Sequence, residues 1–338
     1  MKAYVLHAVN NFLYQEVEFP TCQTGWAIVQ VKAAGICSSD IARVFTKGTY
    51  HFPTIPGHEF SGKVVAVGDE KDAEWVDKRV GVFPLIPCHK CPQCADKHYE
   101  MCEDYDYVGS RRDGGFAEYV AVPVWNLLEI PPSMQYTSAA MLEPISVALH
   151  AIKIGGVKRG DTVAVVGTGM IGIGAAQWAT LYGASSVTVI GRSESKRELV
   201  ETSGLTYQVC TNMKEIASFD VVLEAVGTQD SIEMALSAAT PGGTVLLMGN
   251  PSSDIRINQQ VYWRILRKQL LVKGTWNSSF DGLNPSDWTE SIQAISNKAL
   301  KIDALISHQF EQNQLINGLK LMAEHQEPFC KVMTLWNK

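Results

Sequence analysis

The sequence has no long apolar segment and no run of basic residues. No stretch is long enough to span a bilayer, and the opening residues Met1-Lys2-Ala3-Tyr4 have neither the apolar region nor the cleavage site of an export signal. The formal net charge is −6, and the short segment Leu266-Arg267-Lys268 does not form the cationic face that nucleic-acid binding requires. We therefore expect a soluble, cytoplasmic protein that binds neither a membrane nor a nucleic acid.

Internal repeats and low-complexity segments are also absent, and the 338 residues, 46% of them hydrophobic, can bury a large core. Short apolar segments broken by Gly, Pro and Asp predict a β-rich first part, with strands at 26–31, 62–68 and 79–82. From residue 138 helical and apolar segments alternate, which predicts a doubly wound parallel sheet with strands at 162–166, 187–190, 221–223, 244–248 and 270–273. We predict an α/β protein with domains 1–146 and 147–276, in which 277–338 returns to the first domain.

The clearest chemical motif is formed by four of the eight cysteines. Cys88, Cys91, Cys94 and Cys102 form C-x-x-C-x-x-C, with the fourth Cys after seven further residues, a spacing that suits one tetrahedral Zn²⁺. Four thiolates close the coordination sphere, so this zinc is predicted to be structural. Disulfides are disfavoured because no export signal accompanies the cysteines. The remaining cysteines without metal-ligand spacing are predicted to be buried thiols: Cys22, Cys210 and Cys330.

A glycine-rich turn follows the predicted strand 162–166 and opens a helix of small residues. It reads Gly167-Thr168-Gly169-Met170-Ile171-Gly172, and this strand–turn–helix context is typical of a dinucleotide-binding site. Gly167 permits the tight turn, Gly169 lets the backbone approach a pyrophosphate, and Gly172 lets helix and strand pack closely. Met170 and Ile171 complete the turn. The alternative is a turn that only packs.

The end of the next predicted strand bears on the choice of dinucleotide. A NAD-specific site would place Asp or Glu there to bind the ribose hydroxyls, but the strand ends in Gly191-Arg192-Ser193. Arg192 offers a guanidinium and Ser193 a hydroxyl to a 2′-phosphate. We predict a preference for NADP(H), with NAD(H) possible. In the alternative, Arg192 is a solvated surface residue and NAD is bound through looser ribose contacts.

Three residues are candidate ligands of a second, catalytic zinc, which needs three protein ligands and an open position. Cys37 follows a predicted strand, His58 follows Gly57, and Glu143 precedes Pro144 at a predicted helix start. Spacing alone does not join them. Taken singly, they fit a core thiol, a loop histidine and a helix N-terminal charge equally well.

These motifs together resemble those of the zinc-containing medium-chain dehydrogenases, over essentially the whole chain. The resemblance rests on Gly57-His58-Glu59, the four-Cys lobe, Gly114-Gly115-Phe116-Ala117-Glu118-Tyr119 and the dinucleotide turn. Met141-Leu142-Glu143-Pro144 is similar to the polyol dehydrogenase branch, which has Glu as the third zinc ligand. Within that branch, the segments 108–115, 265–268 and 274–276 resemble those of the galactitol-1-phosphate 5-dehydrogenase group. Gly191 departs from the acidic residue typical of the family.

The resemblance implies a GroES-like catalytic domain joined to a Rossmann domain. It also implies a catalytic zinc on Cys37, His58 and Glu143, with Glu59 as an occasional ligand or a neighbour of the metal. Ser39 occupies the place of a hydroxyl that relays the alcohol proton, although Ser is also favoured as the cap of a helix beginning near Asp40. By the same resemblance, Ala42 stands where the classical alcohol dehydrogenases have the imidazole that completes the relay. The family's habit further implies a homodimer or homotetramer.

We therefore expect reversible oxidation of a secondary alcohol of a polyol phosphate by hydride transfer to a nicotinamide cofactor. A phosphorylated substrate needs a cation, and the pair Arg111 and Arg112 is our hypothesis, with Arg43 and Lys47 as competitors. Alternatively, the pair forms surface ion pairs with Asp113 or Glu103. Two other functions remain open: dehydrogenation of an unphosphorylated polyol or secondary alcohol, and a non-enzymatic zinc-ribbon binding protein.

Overall fold

The computed structural model describes residues 1–210, 217–282, 285–325 and 327–336. The strands are β1 (Lys2–Ala8), β2 (Asn11–Glu16), β3 (Trp26–Ile36), β4 (Glu59–Val67), β5 (Arg79–Val82), β6 (Leu85–Ile86), β7 (Asp106–Tyr107), β8 (Tyr119–Pro123), β9 (Leu127–Glu129), β10 (Thr162–Val166), β11 (Ser186–Gly191), β12 (Thr206–Val209), β13 (Phe219–Glu224), β14 (Ala239–Leu247), β15 (Leu271–Gly274), β16 (Ile306–Glu311) and β17 (Lys331–Leu335). The α-helices are α1 (Ser38–Ala42), α2 (Pro92–Ala95), α3 (Tyr136–Ala140), α4 (Leu142–Gly155), α5 (Met170–Leu181), α6 (Arg197–Thr202), α7 (Gln229–Ala238), α8 (Gln259–Lys268), α9 (Asp287–Ser296) and α10 (Leu315–Glu324).

The chain divides into two compact units. The first comprises Met1–Glu143, Ser279–Asn297 and Ile306–Lys338, and the second comprises Pro144–Ser278 and Lys298–Leu305. Among the described residues, no helix is both long and apolar enough to cross a membrane.

The first unit is built on a sheet in the order β16-β17-β3-β4-β5-β9, with β8 also paired to β3. Strand β3 is the longest and pairs with three neighbours, all antiparallel: β17, β4 and β8. The core beside this sheet is filled by buried aliphatic and aromatic side chains, among them Val29, Phe60, Phe116 and Trp336. Because β17 pairs with β3, the C-terminal strand brings its residues to the carboxyl end of β3, where Cys37 follows.

The second unit is a parallel sheet in the order β12-β11-β10-β13-β14-β15. Residues 163–166 of β10, at the centre of the order, are buried on both faces of the sheet, as expected for a parallel strand. Hydrogen-bonding side chains stabilise the helix starts, as at α7, where the Thr228 hydroxyl accepts from the Ser231 backbone N–H at 3.3 Å. The predicted α/β class, with a β-rich unit and a doubly wound parallel sheet, is confirmed.

Individual strand predictions agree closely with the structure. The segments 79–82 and 162–166 are β5 and β10 with the predicted limits, and the other predicted strands overlap β3, β4, β11, β13, β14 and β15. The helical stretch expected from residue 138 is divided into α3 and α4.

Candidate metal centres and dinucleotide turn

The four cysteines of the predicted structural zinc site converge in one lobe of the first unit. All ligand atoms of Cys88, Cys91, Cys94 and Cys102 lie within 4.8 Å of one another, and none of the four forms a disulfide. The Sγ atoms of Cys88 and Cys94 are 3.9 Å apart, as are those of Cys91 and Cys102. Tetrahedral zinc–sulfur bonds of ~2.3 Å place neighbouring sulfur atoms ~3.8 Å apart, so the lobe fits zinc.

The protonation chemistry of these thiols also fits a cation. A backbone N–H of Glu103 lowers the pKa of Cys91 to about 6, and a backbone N–H of Lys90 lowers the pKa of Cys88. Burial, in contrast, raises the pKa of Cys94 to about 12. Four thiolates therefore do not coexist near neutral pH unless a cation compensates their charge.

A second group of potential ligands lies in the same unit. The ligand atoms of Cys37, His58 and Glu59 lie within 4.8 Å of one another. Cys37 follows the carboxyl end of β3 and precedes α1. Glu59 is the first residue of β4, the antiparallel neighbour of β3, and His58 directly precedes it. The pairing of Gly35 with Glu59 thus places the two segments side by side.

The backbone around His58 explains the neighbouring glycine motif. Gly57 has φ 99°, and a Cβ there would lie 2.6 Å from the Phe116 ring and 2.9 Å from its backbone nitrogen. The backbone N–H groups of Gly115 and Phe116 donate to the carbonyls of Gly57 and Pro56 at 2.8 and 3.0 Å. The Gly-Gly-Phe segment therefore packs directly against the turn that presents His58, and its effect on the site is structural.

Glu143, the predicted third zinc ligand, is buried near this group but is not one of the three mutually close ligands. Its Oε1 accepts a hydrogen bond from the Tyr107 hydroxyl at 3.2 Å. Burial raises the pKa of Glu143 to about 8; the charges of Glu59 and Cys37 add to the increase, and His58 opposes it. The carboxylate is therefore a buried acid that a bound cation would stabilise in its ionised form.

Ser39 lies within α1, so the alternative in which it caps that helix is wrong; the cap position belongs to Cys37.

Asp40 is fully buried, and its Oδ2 accepts a hydrogen bond from the Cys37 backbone N–H at 3.1 Å. Arg43 Nη1 donates to Ser39 Oγ at 2.7 Å and to Asp40 Oδ1 at 3.1 Å. His58 Nδ1 is buried, has no hydrogen-bond partner among the described residues, and lies 3.6 Å from the same Asp40 oxygen. Asp40 thus lies where a carboxylate can orient the His58 imidazole, as carboxylates do for imidazoles that bind metals.

A buried lysine completes the group, and sequence reasoning missed it. Lys331, at the start of β17, donates a short hydrogen bond to Glu59 Oε2 and a second one to the Ile36 carbonyl at 3.3 Å. Only 4% of its side chain is exposed. No local signal identifies Lys331, because only the pairing of β17 with β3 brings it to Glu59. Asp40 offered a weak signal, three positions after Cys37.

The charges of the site indicate what it can hold. The acids of this group are Cys37, Asp40, Glu59 and Glu143, and the cations in contact with them are Arg43 and Lys331. If every acid is ionised, one divalent cation restores neutrality. Thiolate, imidazole and carboxylate are also the ligands that zinc prefers, so the residues fit a zinc ion.

In the second unit, the predicted dinucleotide turn joins β10 to α5. Gly167 has φ 127°, and a Cβ at Gly172 would lie 2.3 Å from the Gly167 carbonyl oxygen. Gly169 is the N-terminal cap of α5, and a Cβ there would meet no atom within 4 Å. Gly167 and Gly172 are therefore required by the turn itself. Gly169 instead leaves open space beside the helix N-terminus, between Thr168 and the buried Met170.

The end of β11 lacks the usual acidic side chain for a steric reason. A Cβ at Gly191 would lie 2.1 Å from the Tyr207 hydroxyl, which donates to the Ser193 carbonyl at 2.6 Å. Arg192 is exposed and forms no ion pair with any described residue. The Ser193 hydroxyl lies 2.9 Å from that of Ser195. A guanidinium and two hydroxyls thus follow the strand where a carboxylate is otherwise expected.

Arg111 and Arg112, the predicted phosphate ligands, each have protein partners. Arg111 donates to the Tyr105 carbonyl at 2.8 Å, and its guanidinium lies 4.4 and 4.3 Å from the Tyr50 and Tyr105 ring centroids. Arg112 forms a short ion pair with Asp106 rather than with Asp113 or Glu103. Both arginines line an open cavity of about 710 Å³ in the first unit.

The chain is similar to known dehydrogenases over both of its units. The model of the alcohol dehydrogenase GroES-like domain matches residues 23–132, and that of the zinc-binding dehydrogenases matches residues 171–297. Galactitol 1-phosphate 5-dehydrogenase of Escherichia coli strain K12 is 32% identical over 89% of this chain and 90% of its own. Erythritol/L-threitol dehydrogenase of Mycolicibacterium smegmatis is 30% identical over 97% of this chain and 95% of its own.

A solved structure is similar over nearly the whole chain. A zinc-binding dehydrogenase of Sinorhizobium meliloti 1021 bound to NADP has a TM-score of 0.88 and 29% identity, covering 99% of this chain and 98% of its own.

Proposed function

This chain belongs to the zinc-dependent alcohol dehydrogenase family, and we propose that it reversibly oxidises a secondary alcohol of a polyol phosphate to the ketose phosphate. It is a zinc- and NAD(P)-linked dehydrogenase, so membership of the family removes the support for a non-enzymatic zinc-ribbon protein. The observation that carries the proposal is the group formed by the half-buried Cys37 and the buried His58 and Glu59, beside Ser39 and Arg43. Similarity to a galactitol 1-phosphate 5-dehydrogenase supports the phosphorylated substrate class.

We assign the catalytic zinc to Cys37, His58 and Glu143. When bound, zinc supplies a Lewis acid that favours ionisation of the substrate hydroxyl, and the nicotinamide accepts the hydride. Glu59 is paired directly with Lys331, whereas Glu143 accepts a hydrogen bond from the neutral Tyr107 hydroxyl and forms no ion pair with any described residue. We therefore infer that the zinc ion neutralises the charge of Glu143, and that Glu59 lies beside the metal without binding it.

Ser39 handles the proton of the substrate alcohol in this proposal. An arginine can only donate, so the bond from Arg43 occupies one lone pair of Ser39 Oγ. The other lone pair can accept the alcohol proton while the serine passes its own proton onward. The neighbouring guanidinium stabilises negative charge that develops on the oxygen.

For the cofactor, we propose a preference for NADP(H), with Arg192 and Ser193 binding the 2′-phosphate. The exposed Arg192 has no described ion-pair partner to displace, and Tyr207 occupies the space that an acidic residue at position 191 would need. Arg192→Ala should raise KM for NADPH by about 10-fold and leave KM for NADH unchanged. Arg159→Ala, at an exposed position before β10, serves as the control. An equal change in both KM values would contradict the assignment.

The test of the whole proposal is a reduction screen. Ketoses and ketose phosphates are supplied in matched pairs with NADPH and NADH, and kcat/KM is measured for each combination. We expect the phosphorylated member of a pair to be the better substrate.

The second candidate is the same chemistry on an unphosphorylated polyol. It is favoured by the similarity to erythritol/L-threitol dehydrogenase, which covers more of this chain than the similarity to galactitol 1-phosphate 5-dehydrogenase does. Higher kcat/KM on free ketoses would establish this candidate in place of the first.

A further inference from the structure

Arg43 lies where the candidate catalytic centre meets solvent. Helix α1 ends at Ala42 and continues as a π-helical turn over Arg43–Lys47, a form that is often found at functional sites. Through Nη1, Arg43 contacts both Ser39 and the buried Asp40, which also lies beside His58. The guanidinium is therefore fixed next to the proposed proton-relay residue.

The contacts of Arg43 use only part of its hydrogen-bonding capacity. Within the described part of the chain, its hydrogen bonds are both made by Nη1, which leaves Nε and Nη2 as donors. About a fifth of its side chain remains open to solvent, at 19% exposure, whereas Lys331 is enclosed. The two remaining donors form a fork of the kind that binds phosphate or carboxylate oxygens.

A second cation follows on the same turn. Lys47 is exposed and has no ion-pair partner among the residues with described positions. Residues four and five apart are close neighbours along a π-helical turn, so Arg43 and Lys47 share one side of it. The turn thus presents two cations beside the catalytic centre.

We propose that Arg43, assisted by Lys47, binds the anionic end of the substrate, namely the phosphate of a polyol phosphate. This inference rests on the proposed function, and it names Arg43 as the residue that makes the enzyme specific for a phosphorylated substrate. It favours Arg43 over Arg111, whose guanidinium lies against two tyrosine rings, and over Arg112, which is paired with Asp106.

The test compares a phosphorylated substrate with its unphosphorylated counterpart. For wild type, Arg43→Met, Arg43→Lys and Lys47→Met, kcat/KM is measured on galactitol 1-phosphate and on galactitol. Arg43→Met should lower the ratio of the two values by about 10- to 100-fold, because charge-assisted hydrogen bonds to the phosphate are lost. Arg43→Lys keeps the charge without the fork and should lower the ratio by less, about 3- to 10-fold.

The ratio separates binding of the phosphate from orientation of Ser39. Loss of the bond to Ser39 lowers kcat on both substrates equally and leaves the ratio unchanged. Arg159→Met is the matched control and should leave both values unchanged, while Arg111→Met and Arg112→Met test the competing site. An unchanged ratio in Arg43→Met, or a loss of the ratio confined to the Arg111 and Arg112 variants, overturns the proposal.

A binding measurement distinguishes this inference from the proposed function. Calorimetric titration of galactitol 1-phosphate into the zinc-loaded wild type and Arg43→Met requires no turnover, and zinc content is measured on each sample. Binding that depends on Arg43 without oxidation supports the inference and overturns the proposed function. If the wild type oxidises galactitol 1-phosphate but Arg43→Met binds it with equal affinity, the proposed function is supported and the inference is overturned. If the wild type neither binds nor oxidises this compound, the inference and the proposed function are both overturned.

Discussion

At the scale of single residues, the candidate catalytic centre is defined by partners that come from distant segments. Lys331 reaches Glu59, Tyr107 reaches Glu143, and Asp40 stands between His58 and Arg43. Each contact joins an ionisable group to a donor or a counter-charge in a buried environment. The chemistry of Glu59 and Glu143 is therefore set by neighbours from outside their own motifs.

The two zinc centres should be separable by single substitutions. Cys94→Ser should lower bound zinc from about two to about one ion per chain, because three thiolates hold the structural ion less tightly. His58→Ala should also remove about one zinc and reduce kcat by at least about 100-fold. Metal analysis and steady-state kinetics check both outcomes. Cys22→Ser, far from either ligand set in sequence, is the control; two zincs remaining in His58→Ala would contradict the assignment.

The buried ion pair of Lys331 and Glu59 should contribute to the stability of the fold. Lys331→Met should lower the free energy of unfolding by about 3–5 kcal/mol, because it leaves the buried Glu59 carboxylate without its cation. The double variant Lys331→Met/Glu59→Gln should recover most of that loss, since no unpaired charge remains. Urea denaturation of the three proteins measures the effect. A double variant as unstable as the single one would show that packing, not charge, is the cause.

At the scale of elements, two groups of candidate functional residues lie where a strand passes into a helix. Cys37 lies between β3 and α1, and the glycine turn lies between β10 and α5. In the second case the first-turn N–H groups of α5 are unpaired within the helix and face the open space at Gly169. Glycine is thus required at positions 169 and 172 for different physical reasons, and substitutions at the two positions should have different effects.

Gly169→Ala and Gly172→Ala should have different consequences. Gly169→Ala adds a methyl group to open space, so the melting temperature should be unchanged while KM for the dinucleotide rises about 10-fold. Gly172→Ala brings a methyl group against the Gly167 carbonyl and should cost about 1–3 kcal/mol of stability. Thermal melting and cofactor titration distinguish the two. Equal destabilisation by both substitutions would remove the distinction.

At the scale of the whole molecule, the second unit has an exposed sheet edge. Every residue of β15 is exposed, and β15 is the last strand of the six-stranded order. Helix α8 adds exposed Tyr262, Trp263 and Leu266. Unpaired strand edges and exposed apolar patches are typical of interfaces, which supports our expectation of a homodimer or homotetramer formed through these edges.

Charge placed on this edge should disrupt the assembly. Leu271→Lys/Val272→Lys should shift the protein toward the monomer at micromolar concentration, because lysine opposes edge-to-edge pairing. Light scattering coupled to gel filtration measures the mass. Leu181→Lys, at an exposed apolar position on α5, should leave the mass unchanged. A double variant with unaltered mass would place the interface elsewhere.

The amino-acid sequence alone predicts the fold class, three strands of the first unit and five of the parallel sheet, and the motifs of both metal and dinucleotide chemistry. It could do so because hydrophobic period, cysteine spacing and glycine turns act over a few residues, as the close match of β5 and β10 illustrates. The contact of Arg43 with Ser39 is also local, because four residues separate them on one helical turn. The tertiary structure was needed to show that Glu59 lies among the mutually close ligands and that Lys331 is its partner. These two relations depend on strand pairing and on burial, which bring together segments as distant in the sequence as those of Glu59 and Lys331 and set their charge balance in a low dielectric.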